Sequence, residues 1–416
     1  MKGLAVRLKG QQRRNLAITL ALALALALLI GIIAFQLLRP LPAIAATTFL
    51  PATSRIGAIP PALPWPTTGS GAVAVAGLGT IGTHGPQTSL PLASTAKVMT
   101  ALVVLADHPL RPTEQGPMIP VSAADAATYV AEKDQGQSVF PVAAGEKLSE
   151  YQALQALLVP SGNNIAELLA AWDAGSVAAF VDEMNARAAA LQLVHTSYVD
   201  ATGLSPQSVG SPEDLIALAQ VALRDPVFAE IVAQPEATLP IAGRVFNVDA
   251  VVGEDGIVGV KTGSSGAAGA CFVFAADVRA DGQSARLFGA IMGLPTLDDV
   301  FSSTKSLVQA VGSALHFRSI LSTNQLIAEY AAPWGETATV FSDQDVNWVA
   351  YDGMVVRQRT DVKMVKAPLP SGSRVGTLTL QLGEQRVQLP LKTTEPIFEP
   401  DTFWRLTRVR IDRLFQ

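Results

Sequence analysis

Three short motifs containing serine, lysine and asparagine follow one another along the chain. The sequence reads STAK at 94–97, SGN at 161–163 and KTG at 261–263. A serine hydroxyl is a weak nucleophile until a neighbouring base takes its proton. No histidine pattern accompanies Ser94, so Lys97 is the candidate base and Ser94 the candidate nucleophile of an acyl transfer.

Lys97 follows Ser94 at the spacing that places two side chains on one face of a helix. Apolar residues recur at helical intervals after Ser94, so we expect Ser94 at a helix start, where its backbone N–H and the helix dipole stabilise an oxyanion. A lysine acts as a base only when it is neutral. Its ordinary pKa of about 10.4 must therefore be lowered by burial and by a second cation, for which Lys261 is the candidate.

The second and third motifs supply groups that suit a peptide substrate. Ser161 follows a proline that ends a predicted helix, and we expect its hydroxyl to relay a proton to the leaving amine while Asn163 binds the substrate amide. The KTG motif is predicted at the end of a strand. There Thr262 and the Lys261 ammonium would bind a terminal carboxylate, and Gly263 would allow the substrate to approach the backbone closely.

Each motif alone is a weak signal, because the chain also contains unrelated copies. SSTK at 302–305 repeats the first pattern and STN at 322–324 the second, while KTT at 392–394 lacks the glycine. Ser302 lies in the middle of a predicted helix, and its S-x-N follows too soon. Order and context therefore favour the set that begins at Ser94.

Apolar periodicity and capping residues predict an α/β (α+β) catalytic region. Ser149 with Gln152 forms a capping box, and Ser176 and Ser211 are further helix N-caps. The order of strand, several helices, three strands and helix implies a sheet whose first strand pairs with strands far along the chain. The predicted elements include strands at 71–76, 256–263, 270–278 and 285–293 and a helix over 296–316.

An uncharged apolar run from Leu16 to Leu38 is long enough to span a bilayer. Five basic residues precede it, so the positive-inside rule keeps the N-terminus in the cytoplasm and places the catalytic domain outside, in a single-pass cell-membrane protein. An A-x-A sequence at 43–45 leaves a cleaved signal peptide as the alternative. The predicted segments are a basic tail (1–15), a transmembrane helix or uncleaved signal anchor (16–38), a Pro-rich linker (39–69), the catalytic domain (70–318), a small all-β domain (319–396) and a basic amphipathic helix (397–416).

Composition excludes several other functions. The net charge of −5 offers no basic surface for nucleic acid. Cys271 is the single cysteine and lies in an apolar run, which is typical of a buried side chain and excludes an intramolecular disulfide. The four histidines show no zinc-binding spacing, so we expect no metal and no cofactor.

The ordered motifs resemble those of the D-alanyl-D-alanine carboxypeptidases, the low-molecular-mass penicillin-binding proteins. The resemblance covers roughly residues 65 to 315 and includes the ATGLS segment at 201–205. It implies a β-lactamase-like fold with an antiparallel sheet and a helical subdomain, followed by a β domain. It further implies an enzyme that acts on the pentapeptide stem of peptidoglycan and is inhibited covalently by β-lactams.

The resemblance also assigns roles to individual residues. Ser94 is the acylated serine, Lys97 its base, and Ser264 the donor of a second oxyanion N–H. The remaining site residues that it implies are Ser161, Asn163, Lys261, Thr262 and Gly263. Two positions depart from the family: Asn164 stands where Asp is common, and Val300 stands where an arginine often helps to hold the carboxylate.

Two alternatives remain open from the sequence. A class A-like β-lactamase shares S-x-x-K and K-T-G but adds a glutamate that activates the deacylating water, and no E-x-x-L-N pattern follows Ser161 at a suitable distance. A non-catalytic protein that binds β-lactams or the cell wall would use the same pocket without turnover.

Overall fold

The computed structural model describes residues 2–57, 59–60 and 62–408. The helices of this part are α1 (Lys2–Leu38), α2 (Lys97–Asp107), α3 (Ala123–Asp134), α4 (Glu150–Leu158), α5 (Asn163–Ala174), α6 (Val177–Ala190), α7 (Pro212–Ala222), α8 (Pro226–Val232), α9 (Leu297–Ala314) and α10 (Thr402–Thr407). A 3₁₀ turn at Ala93–Ala96 immediately precedes α2.

The strands of the N-terminal and catalytic regions are β1 (Ala46–Thr48), β2 (Thr53–Arg55), β3 (Ser70–Val75), β4 (Gly79–His84), β5 (Leu90–Pro91), β6 (Met118–Pro120), β7 (Lys147–Ser149), β8 (Val209–Gly210), β9 (Glu236–Leu239), β10 (Gly243–Phe246), β11 (Ile257–Ser265), β12 (Gly269–Ala280) and β13 (Gln283–Leu294). Those of the C-terminal region are β14 (Leu315–Leu321), β15 (Ala328–Ala331), β16 (Thr337–Phe341), β17 (Val346–Tyr351), β18 (Val355–Val362), β19 (Arg374–Leu382) and β20 (Gln385–Thr393).

A five-stranded antiparallel sheet in the order β11-β12-β13-β3-β4 forms the centre of the catalytic region. The pairing of β3 with β13 confirms that the first strand joins strands far along the chain; Val73, for example, lies opposite Gly289. Strand β12 is buried on both faces because helices cover one side, while α9 and part of the β domain cover the other. Its nearly continuous apolar sequence therefore supplies buried side chains to the hydrophobic cores on both sides of the sheet.

The predicted helix caps are confirmed. Ser149 and Gln152 form a reciprocal capping box at α4. Ser176 caps α6, and Ser211 caps α7 with a proline in its first turn. These caps satisfy backbone N–H groups that the helices themselves leave unpaired. They fix the start of each helix in the layer that packs against the sheet.

The segment 39–69 is not the free linker that its prolines predicted. Strand β1 pairs with β15 and strand β2 pairs with β18, so this segment forms both edges of the seven-stranded sheet β1-β15-β16-β20-β19-β18-β2. Proline favours extended backbone and is tolerated at sheet edges. The proline content that predicted a linker therefore also suits short edge strands. The β domain consequently contains residues from both ends of the chain.

Helix α1 contains a span from Gly10 to Leu38 that is long and apolar enough to cross a membrane. Arg405 and Arg408, in and just after α10, donate to the carbonyl oxygens of Leu37 and Gln36 over 3.2 and 2.7 Å. These bonds cap the C-terminal end of α1, where carbonyls lack helical partners. The amphipathic helix predicted over 397–416 is represented by the short α10, and 409–416 lie outside the described residues.

We expect Gly203→Ala to destabilise the protein by about 2–4 kcal/mol. Gly203 has φ +77°, and an added Cβ would lie 1.8 Å from the carbonyl oxygen of Ala93. The control is Gly243→Ala, because Gly243 has φ +67° with nothing within 4 Å, so its cost is that of the backbone conformation alone, about 1 kcal/mol. Urea unfolding of both variants tests this; equal losses would show that the contact with Ala93 does not matter.

Candidate active site

Ser94 lies in the 3₁₀ turn, and the α-helix itself begins at Lys97. The sequence predicted Ser94 at the start of an α-helix. The structure instead places it in a 3₁₀ turn, which is wound more tightly than an α-helix and leads directly into α2. Thr95 closes that turn by donating its hydroxyl to the carbonyl of Leu92 over 2.6 Å. Ala93 has φ +47°, a conformation that costs free energy for a residue with a side chain. This strained residue immediately precedes Ser94, whose Oγ lies 2.8 Å from Lys97 Nζ.

The amine of Lys97 has three polar neighbours. Its Nζ lies 2.8 Å from Ser94 Oγ, 2.6 Å from Asn163 Oδ1 and 3.3 Å from the carbonyl oxygen of Thr202. A neutral amine has two hydrogens and one lone pair. The two hydrogens match the Asn163 and Thr202 oxygens, which leaves the lone pair to accept the proton of Ser94.

The surroundings of Lys97 favour this neutral form. The side chain is completely buried. Burial lowers the pKa of Lys97 well below its ordinary value, and the nearby Lys261 cation lowers it further, whereas Asp200 and Glu132 oppose the shift. Desolvation penalises the ammonium form because water no longer solvates the charge. A lysine base requires burial and a second cation to lower its pKa, and the structure provides both for Lys97.

The second motif joins the site at the junction before α5. Asn163 is the first residue of α5, and its Oδ1 contacts Lys97. Ser161 has φ +66° and is buried, and its Oγ has no hydrogen-bond partner among the described residues. An unpaired buried hydroxyl costs about 1–3 kcal/mol. Strain together with an unsatisfied hydroxyl is typical of a group that meets a ligand.

The third motif lies on β11, directly beside the serine turn. A Cβ on Gly263 would lie 2.8 Å from the backbone nitrogen of Ser94, so glycine allows the strand to approach the turn itself. Lys261 and Thr262 are buried, and Thr262 Oγ1 has no partner among the described residues, while Ser264 is exposed. The structure therefore brings all three motifs together.

The Lys261 amine is buried and has few hydrogen-bond partners among the described residues. Its Nζ donates to the carbonyl oxygen of Thr262 over 3.2 Å. Burial lowers the pKa of Lys261 to about 8, against an opposing effect of Asp249. The Asp249 carboxyl is itself buried, and this burial raises its pKa to about 7. The site thus holds a second amine that remains charged near neutral pH and can attract an anionic group.

A loop that sequence reasoning assigned no role completes the site. Asp200 accepts hydrogen bonds from the backbone of Gly203 and Ser205 and from the Ser208 hydroxyl, each at 2.8 Å. This arrangement fixes the loop that presents the Thr202 carbonyl to Lys97. The ATGLS segment was recognised as a family block, but the contact is made by a backbone oxygen. Residue types alone could not reveal it.

The repeated motif at 302–305 is excluded by its surroundings. Ser302 is exposed in α9, and Lys305 pairs with Glu254 at 3.1 Å. Val300 is fully buried in the core between α9 and the sheet, so its position offers no side chain to a substrate carboxylate. Cys271 is buried as expected.

Asn164 has a clear structural role. Its amide accepts from the backbone N–H of Phe140 and donates to the carbonyl of Phe140, both at 2.9 Å. An ionised Asp could accept but not donate. The departure from the common family residue therefore preserves two hydrogen bonds that hold the neighbouring loop.

One group of carboxylates elsewhere has the composition of a cation site. Oxygens of Asp107, Asp173 and Glu183 lie within 4.8 Å of one another. Asp107 ends α2, which places it roughly 15 Å along the helix from Lys97. This cluster is separate from the candidate site around Ser94.

The chain is similar to known proteins over the region that contains the three motifs. The sequence relatives include a D-alanyl-D-alanine endopeptidase of Pseudomonas aeruginosa, 34% identical over 37% of this chain and 46% of that protein. The D-alanyl-D-alanine carboxypeptidase DacB2 of Mycobacterium tuberculosis is 35% identical over 45% of this chain and 62% of the relative. The chain thus aligns with less than two thirds of the length of either relative.

Structural similarity extends further than sequence similarity. Penicillin binding protein 5 from Haemophilus influenzae matches 82% of this chain and 100% of its own length with a TM-score of 0.60 at 21% identity. This match confirms the penicillin-binding-protein fold. Residues 80–296, slightly more than half of the chain, match the family described as D-alanyl-D-alanine carboxypeptidase. The chain, with its serine, its buried lysine and its K-T-G strand in one site, therefore belongs to the D-alanyl-D-alanine carboxypeptidase family of serine peptidases.

Proposed function

We propose that the protein is a serine-type D-Ala-D-Ala carboxypeptidase that trims pentapeptide stems of peptidoglycan through an acyl-enzyme on Ser94. The observation that carries this proposal is the environment of Lys97. Its buried Nζ has two oxygen acceptors and lies 2.8 Å from Ser94 Oγ. That arrangement suits a neutral amine that takes the serine proton.

The first half of the reaction forms an ester and releases D-alanine. Ser94 Oγ attacks the carbonyl carbon of the penultimate D-Ala while Lys97 accepts the hydroxyl proton. The oxyanion develops beside the backbone N–H groups of Ser94 and Ser264. As the C–N bond breaks, the Ser161 hydroxyl gives its proton to the leaving amine and takes up the proton held by Lys97, which makes Lys97 neutral again. In the second half a water attacks the ester while Lys97 accepts one of its protons. Lys97 then returns that proton to Ser94 Oγ as the ester C–O bond breaks, and the shortened peptide leaves as a carboxylic acid.

The third motif is suited to the terminal carboxylate of the substrate. Lys261 supplies positive charge, and Thr262 supplies a buried hydroxyl that has no partner among the described residues. A carboxylate between them would satisfy both groups, which makes their burial less costly. The ring carboxylate of a β-lactam presents the same charge, so we expect penicillins to acylate Ser94 as covalent inhibitors.

The proposed location of the reaction is the outer side of the cell membrane. Helix α1 would span the bilayer once with its basic N-terminal end in the cytoplasm. The β domain, attached to the end of α1 through β1 and β2, would lie next to the membrane. The aromatic and basic residues around α10 suit the membrane interface, including Trp404, Arg405 and the exposed Phe403.

We expect Ser94→Ala to abolish both D-alanine release from a D-Ala-D-Ala pentapeptide and labelling by a fluorescent penicillin. The change removes the attacking oxygen and leaves the fold in place. The matched control is Ser302→Ala, which alters the exposed serine of the other S-x-x-K sequence and should retain full activity. Amino-acid analysis of the released D-alanine and in-gel fluorescence provide the two measurements.

The same experiment distinguishes the alternatives. Rapid hydrolysis of the penicillin without a lasting adduct would favour a β-lactamase. A stable adduct on Ser94 without release of D-alanine from a well-folded wild-type protein would favour a non-catalytic binder. Cleavage of cross-linked peptide dimers in preference to pentapeptides would indicate an endopeptidase.

We expect kcat/KM to fall as the pH rises through about 8, because Lys261 then loses the charge that binds the carboxylate. Lys261→Arg should remove this alkaline decline, since a guanidinium stays protonated throughout that range. Lys305→Arg, at an exposed ion pair with Glu254, is the control and should leave the profile unchanged. A pH–rate profile in which Lys261→Arg still declines near pH 8 would assign the limb to another group.

A further inference from the structure

The side-chain amide of Asn163 is held at both of its ends. Its Oδ1 lies 2.6 Å from Lys97 Nζ, and its Nδ2 donates to Oε1 of Gln137 over 2.7 Å. Because an amide has one acceptor end and one donor end, the Gln137 acceptor determines which end faces Lys97. Gln137 belongs to none of the three motifs.

The orientation of this amide matters for the lysine. With Oδ1 toward Lys97, the amide accepts one amine hydrogen and leaves the lone pair free for Ser94. A rotation of Asn163 by 180° would instead present an N–H donor to Lys97. A neutral amine can accept that hydrogen only with the lone pair that it needs for the Ser94 proton. The flipped amide would therefore compete with the nucleophile for the base.

The loop that carries Gln137 is itself firmly positioned. The backbone N–H of Gln137 donates to the Glu132 carbonyl at the end of α3 over 3.0 Å. Its Nε2 donates to Gln135 Oε1 over 2.9 Å, which leaves Oε1 for Asn163. One residue further on, the Ser138 carbonyl accepts from the Asn163 backbone N–H over 2.8 Å. The acceptor is thus preorganised relative to the start of α5.

We propose that Gln137 is a positioning residue that fixes the Asn163 amide and thereby keeps the lone pair of Lys97 directed at Ser94. The inference rests on the proposed function, which assigns Lys97 as the base. The second Nδ2 hydrogen of Asn163 has no acceptor among the described residues. In the proposed arrangement this hydrogen is donated to the acyl-side carbonyl of the peptide. Gln137 therefore contributes to catalysis although it touches neither the nucleophile nor the base.

Gln137→Met tests the proposal, because it keeps a similar volume and removes the acceptor. We expect the acylation rate constant, measured with both the pentapeptide and a fluorescent penicillin on the full chain in detergent, to fall roughly tenfold, as for the loss of one partly buried hydrogen bond. Gln309→Met is the matched control, because Gln309 is exposed in α9 and lies outside this hydrogen-bonded chain. It should stay within about twofold of wild type.

Gln137→Glu provides a signature that a merely structural role would not give. A carboxylate still accepts from Asn163, so acylation should be restored at high pH. Its negative charge would join Asp200 and Glu132 in favouring the Lys97 ammonium against Lys261. The acidic limb of the acylation profile should therefore move to higher pH.

The outcomes are distinct. Wild-type acylation by Gln137→Met, or equal losses in the Met and Glu variants, would overturn the positioning role. If Gln137→Met does not fold, an unshifted acidic limb in Gln137→Glu overturns it and a shifted limb supports it. A wild-type protein that forms the penicillin adduct without releasing D-alanine would contradict the proposed function, while the adduct kinetics would still decide the role of Gln137.

Discussion

The burial of one amine is the constraint on which the site depends. Lys97 is removed from water at the centre of the helical layer, and a charged form there would require compensation that the surroundings provide only in part. The structure instead surrounds it with two fixed oxygen acceptors and a second amine. Each of these comes from a different part of the chain. The fold can therefore be understood as the means of holding those parts around a lysine whose neutral form is favoured by burial.

That arrangement is achieved with local backbone strain. Ala93 and Ser161 both have positive φ, and each lies at the start of one of the candidate motifs. Such conformations cost about 1–3 kcal/mol each and persist only where the neighbouring packing enforces them. The buried strands β11 and β12 and the helices around α2 supply that packing. Rigid elements thus support the less favourable geometry of the reactive residues.

The motifs and the regular elements were largely predictable from the sequence, because caps and apolar periodicity are local properties. The box at Ser149, the strand that carries K-T-G and the order of the sheet belong to this class, although that strand continues past the motif to Ser265. The contacts made by Thr202 and Gln137 were not predictable, since one is a backbone oxygen and the other depends on how a loop packs. The segment 39–69 was misinterpreted because proline favours extended backbone in linkers and in edge strands alike.

The edge position of β1 and β2 has a consequence for how the protein matures. Each of these strands pairs with a segment more than 250 residues later in the chain, so neither can find its partner until most of the polypeptide has been synthesised. Until then the backbone groups of β1 and β2 are unpaired, and such groups are prone to pair with other chains. The short length of the two strands and the prolines around them limit that hazard. Folding of the seven-stranded sheet is thus completed only when β1 and β2 pair with β15 and β18.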